Sequence, residues 1–111
     1  MKPTELYNFI RDYYGFKYCA LGYKSFEKCD VIGILYDAFY VRFKVDEISD
    51  TFIATLEIGQ DGVITDFLGN GRAVKLDPES IIECLDAVDR YCRLRLPLKF
   101  VEEFEKVYKT N

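Results

Sequence analysis

The sequence predicts an α+β domain: an antiparallel meander of four to five strands, with an N-terminal helix and two C-terminal helices packed on one face. Three observations predict it. Apolar residues recur at helical spacing near both ends of the chain, and they alternate with period two through its middle. The alternating stretches are joined by links far shorter than the dozen or so residues a parallel crossover needs. A length of 111 residues fits a single domain, 1-111, and a chain that is 50% apolar can fill a core without disulfide staples.

The first helix is expected from about Thr4 to Tyr14. Thr4 suits the N-cap and Glu5 the positive end of the helix dipole. Leu6, Phe9, Ile10 and Tyr13 form one stripe, and Gly15 ends it. Residues 16–30 are ambiguous: Phe16 to Tyr23 can be a strand, and Lys24 to Asp30 a turn or a short helical piece. From Val31 the period is two. Val31–Tyr36 is a strand and Asp37-Ala38 a tight connection. Phe39, Val41, Phe43 and Val45 then alternate with Tyr40, Arg42 and Lys44. Phe52, Ala54, Leu56 and Ile58 repeat the pattern against Ile53, Thr55 and Glu57. The turn Gly59-Gln60-Asp61-Gly62 leads to Val63, Thr65 and Phe67 on one face, with Ile64, Asp66 and Leu68 on the other. Gly69-Asn70-Gly71 turns again into Arg72–Leu76. Asp77 caps and Pro78 opens a helix with Ile81, Leu85, Val88 and Cys92 inward. Asp86/Arg90 and Asp89/Arg93 are i, i+4 pairs on it. Pro97 starts the last helix, with Leu98, Val101, Phe104 and Tyr108 inward.

Composition excludes more than it assigns. The chain has no histidine, which removes the commonest general base and the commonest zinc ligand. Cysteines at 19, 29, 84 and 92 lack the spacing of a zinc site, and Cys84 and Cys92 read as buried small side chains. No calcium loop, paired-carboxylate spacing or nucleotide loop is present; Gly69-Asn70-Gly71-Arg72 reads as a hairpin turn. Catalytic, metal and cofactor-binding residues are therefore expected to be none. A formal net charge of −4 argues against nucleic acid, whose binding runs on cationic contacts to phosphate. No apolar run approaches membrane-spanning length, and no secretory signal is visible, so a cytoplasmic location with reduced thiols is expected.

Candidate function rests on the sheet. Like faces match if Val45 pairs with Phe52, Phe43 with Ala54 and Val41 with Leu56, then Ile58 with Val63 and Leu56 with Thr65. The opposite face then reads as three rows: Tyr40–Glu57–Ile64, Arg42–Thr55–Asp66 and Lys44–Ile53–Leu68. Three helices suffice for one face only, so this second face is expected to be bare. Tyrosine and arginine are favoured interface anchors. Acids at Asp46, Glu47 and Asp50 adjoin it. The expected partner-binding residues are Tyr40, Arg42, Glu57, Asp66, Asp46, Glu47 and Asp50, with a basic protein as partner. This is the profile of a stoichiometric inhibitor such as an immunity protein or antitoxin, blocking a basic toxin domain. A homodimeric accessory protein using the same face is the alternative, and a small-ligand binding domain the third.

Overall fold

The computed structural model describes residues 2–24, 29–59, 62–67 and 73–109. Helix α1 (Pro3–Tyr14) has proline at its first position, so the N-cap falls on Lys2 and Thr4 lies inside the helix. Gly15 ends it at a φ of 59°. Leu6, Ile10 and Tyr14 are buried, whereas Tyr13, expected on the stripe, is exposed; the inward stripe follows i, i+4, i+8.

The ambiguous segment resolves into a single 3-10 turn (Gly15–Lys17) and a strand, β1 (Tyr18–Lys24). Residues 25–28 of the expected turn lie outside the described residues. Strands β2 (Cys29–Leu35), β3 (Phe39–Asp46) and β4 (Thr51–Glu57) follow, antiparallel and neighbouring in chain order. β3 and β4 pair in the predicted register: Val41 opposite Leu56, Phe43 opposite Ala54, Val45 opposite Phe52. β2 places Val31 opposite Phe43 and Gly33 opposite Val41. These residues form the inner face and all of them are buried. Phe43 stacks on Phe52 with ring centroids 5.9 Å apart, and Tyr18 meets it edge-on.

Gly33 is fixed by a close approach. Tyr18 lies across it and donates its hydroxyl to the Val41 carbonyl (3.1 Å). A Cβ at Gly33 would come within 2.4 Å of the Tyr18 ring and 2.6 Å of the Cys19 carbonyl oxygen.

Beyond β4 the expected register is wrong by one residue. β5 (Val63–Ile64) pairs Leu56 with Ile64 and Glu57 with Val63. The Ile58 amide donates to the Gly62 carbonyl (3.0 Å), closing the hairpin across residues 59–61 instead of 59–62. With a side-chain period of two, that slip turns Val63 out to solvent and Ile64 against the core. Ile58, expected inward, is exposed. The chain then leaves the ladder. Phe67 enters the core beside Tyr91 (centroids 5.4 Å apart), and β6 (Val74–Lys75) returns to pair with the other end of β4. Leu68 and the Gly69-Asn70-Gly71 turn lie outside the described residues.

Helix α2 (Pro78–Arg95) is capped by Asp77, whose carboxylate accepts from the Ser80 amide (2.8 Å). It buries Ile81, Cys84, Leu85, Val88 and Cys92 over β4 and β6, while α1 covers β1 and β2. Its acids and bases reach further than one turn: Asp89 pairs with Lys17 (3.8 Å) and Arg93 with Glu105 (3.4 Å). Helix α3 (Leu98–Lys109) buries Val101 and Phe104. Leu98 and Tyr108 are exposed instead of inward, because α3 packs against the end of the domain, where Phe104 meets Phe16 and Tyr36. Among the described residues no helix is long and apolar enough to cross a membrane.

Candidate functional site

Pleating sends every second residue of β2, β3 and β4 to the face opposite α1 and α2. The register arranges them as cross-strand rows: Ile34 with Tyr40, then Ile32–Arg42–Thr55, then Asp30–Lys44–Ile53. No described helix packs on these rows. Ile32, Ile34, Arg42, Lys44, Ile53 and Thr55 are half-buried, and Tyr40 stands 52% exposed. Cys19 of β1, opposite Ile34, is exposed on the same side.

The seven predicted partner-binding residues divide into separate groups. Arg42 sits mid-face opposite Thr55, as expected. Tyr40 and Glu57 are exposed and flank the Val41–Leu56 pair at one end of the sheet. Asp46, Glu47 and Asp50 lie at the opposite end, in the β3–β4 turn. Six residue-to-residue steps along β3 separate Tyr40 from Asp46, about 20 Å at the usual rise. Asp66 is exposed and off the ladder, so the row Arg42–Thr55–Asp66 does not form. Ile64 belongs to the core, which removes it from the row with Tyr40 and Glu57.

The β3–β4 turn is held by its own first residue. The Asp46 carboxylate accepts from the amides of Ile48 (3.0 Å) and Ser49 (3.3 Å), and the Ser49 and Thr51 hydroxyls are 2.8 Å apart. Asp50 takes a left-handed φ of 55°. This geometry thrusts Ile48 fully into solvent between Glu47 and Asp50.

Three face residues were missed by the sequence reading: Asp30, Ile32 and Ile34. The run Val31-Ile32-Gly33-Ile34-Leu35 is apolar or glycine throughout, and its odd positions are shown to face inward by the pairing with β3. Asp30 is only 5% exposed, yet its Oδ1 has no hydrogen-bond partner among the described residues, and neither has the buried Nε of Arg42. Unpaired buried polar atoms cost stability.

No family model, curated protein or solved structure matches this chain significantly. Function therefore rests on the geometry.

Elsewhere the titratable groups are arranged for structure. Tyr36 and Asp37 both take positive φ (57° and 53°) in the β2–β3 turn. A bulky residue there is held only by strong tertiary contacts. Tyr36 is buried and donates its hydroxyl to Asp89, beside Lys17. Burial first, and the Asp89 carboxylate second, push its phenol well up, so it is a clamp with no proton to give near neutrality. Burial likewise pushes the Cys84 thiol up to about 11 and the Cys92 thiol to about 12, far from a nucleophilic thiolate. Among the described residues no three His, Cys, Asp or Glu side chains group as a metal site.

Proposed function

We propose that this domain is a protein-binding module, not an enzyme, and that it docks a partner on the bare face of β2, β3 and β4. The observation that carries the reading is the pairing of aliphatic side chains with the absence of cover. Ile32, Ile34 and Ile53 surround Arg42 on a face over which no described helix packs. Aromatic and arginine anchors among apolar neighbours are the composition of an interface centre. The acids of the β3–β4 turn and the net charge of −4 favour a basic partner, which they would steer at long range. A stoichiometric inhibitor of the immunity-protein or antitoxin kind, acting in the cytoplasm, fits this description.

A homodimer over the same face is the second reading. It is favoured by the presence of both signs there, Arg42 and Lys44 with Asp30, so that a two-fold copy could offer each charge its opposite.

Affinity capture separates these. Immobilised wild-type protein should retain a basic protein from its native extract, and added salt should release it. Ile53→Glu should abolish retention, whereas Asp46→Asn/Glu47→Gln/Asp50→Asn should slow association more than it speeds dissociation. Retention unaffected by Ile53→Glu would overturn the assignment of the face. A two-fold mass in light scattering, lost in Ile53→Glu, would establish the homodimer instead.

A further inference from the structure

The charges of the outer face are matched unequally. Register sets Asp30 opposite Lys44, so one acid and one base offset each other across β2 and β3. Arg42 has no acid in its row. Ile32 lies opposite it on β2 and Thr55 on β4. The ion pairs among the described residues fall on Arg11, Lys17 and Arg93, and none involves Arg42. Its Nε is sealed from solvent and has no hydrogen-bond partner among the described residues. Acids outnumber bases in the chain, 19 to 15, yet those of β3 and its turn are gathered beyond one end of the strand. Asp46 is four steps along β3 from Arg42, about 13 Å. A half-buried guanidinium among aliphatic side chains is thus the one cation of the central rows without an opposing charge.

We propose that Arg42 receives a carboxylate side chain, Asp or Glu, of the docked protein partner. Charge complementarity names the occupant. A guanidinium presents parallel N–H groups that a carboxylate matches in both charge and geometry. Thr55, directly opposite, adds a hydroxyl to the same row. As apolar atoms of the partner cover Ile32, Ile34 and Ile53, water leaves and the pair strengthens in the lower dielectric. Removing either member then leaves the other buried and unpaired, so the pair selects the partner more than it adds raw affinity. This inference rests on the docking reading of the face and refines its partner. That partner is basic where it meets the acidic turn and presents one acid, flanked by apolar side chains, about 13 Å away at the centre.

The test uses the full chain and three probes: the capped peptides Ac-Ile-Glu-Ile-amide and Ac-Ile-Gln-Ile-amide, and inorganic phosphate. NMR follows the Nε–H group of Arg42 and the methyl groups of Ile32, Ile34 and Ile53. The glutamate peptide should shift both sets of signals together, saturating in the millimolar range. The glutamine peptide has the same shape without the charge and should bind at least about tenfold more weakly. Arg42→Gln should bring the glutamate peptide down to that level, and Arg42→Lys should restore only part of the difference. Equal affinity of the two peptides, no shift at Arg42 with either, or binding that survives Arg42→Gln would overturn the proposal. Phosphate bound at Arg42 as tightly as the glutamate peptide would also overturn it, in favour of a general anion site. The two readings fail differently. Isoleucine methyls that shift equally with both peptides while Arg42 stays still would remove the carboxylate and leave the docking face, whereas partner retention indifferent to Ile53→Glu would remove the face itself.

Discussion

The two faces of β2, β3 and β4 are built on the same backbone and differ in nearly everything else. Phe43 is fully buried in an aromatic layer with Phe52, Tyr14 and Tyr18, while Arg42, one peptide bond away, lies on a face that no described helix covers. Inward residues are sealed by α1 and α2, and nothing there remains for a partner. Outward aliphatics Ile32, Ile34 and Ile53 are half-buried. A sheet of this size is stabilised by one covered apolar face. The isoleucines of the other lie outside that covered layer, and the docking proposal rests on them.

That contrast can be broken by mutation. Phe43→Ala should cost about 3–5 kcal/mol, since it empties the centre of the aromatic layer; urea unfolding reads it directly. Gly33→Ala should cost about 1–3 kcal/mol, because Tyr18 must move off β2 and lose its bond to the Val41 carbonyl. Ile53→Thr, on the bare face, should change stability by less than about 0.5 kcal/mol. If Ile53→Thr costs as much as Phe43→Ala, the outer face is a second core and the distinction collapses.

Alkaline titration sharpens the same comparison. Burial raises the thiols of Cys84 and Cys92 from an ordinary 9.0 to about 11 and about 12. Above pH 9 the unfolded chain therefore releases thiol protons that the folded chain keeps. Stability is fully present below pH 9 and falls as the pH rises from there toward 11–12. The urea midpoint should drop between pH 9 and 11, and Cys84→Ala/Cys92→Ala should flatten part of that drop. Exposed Cys19, by contrast, should be the fastest thiol to react with a disulfide reagent in native buffer.

How much of this was legible depended on local chemistry. β3 and β4 could be registered from the sequence because Val41, Phe43, Val45, Phe52, Ala54 and Leu56 alternate without interruption. α2 was legible because Asp77-Pro78 marks its start and Cys84 and Cys92 fall on its inner side. The β5 register was not, since Gly59 and Gly62 both permit a turn and only the Ile58–Gly62 bond selects the shorter one. That slip removed Ile64 from the proposed site. The stripe of α3 misled for another reason: periodicity reports an amphipathic helix without saying whether a neighbour covers its whole apolar side. Leu98 and Tyr108 fit the pattern and remain in water. Of the site, Arg42 opposite Thr55 was read correctly, while Asp30, Ile32 and Ile34 required knowing that β2 pairs with β3.

Accessibility of the outer isoleucines is best measured by methyl NMR of the monomer with a soluble paramagnetic agent. The methyl groups of Ile32, Ile34 and Ile53 should broaden strongly while those of Val31, Val41 and Leu56 stay sharp. Equal protection of the two sets would show that the outer face is already covered, and a docking site there would be contradicted.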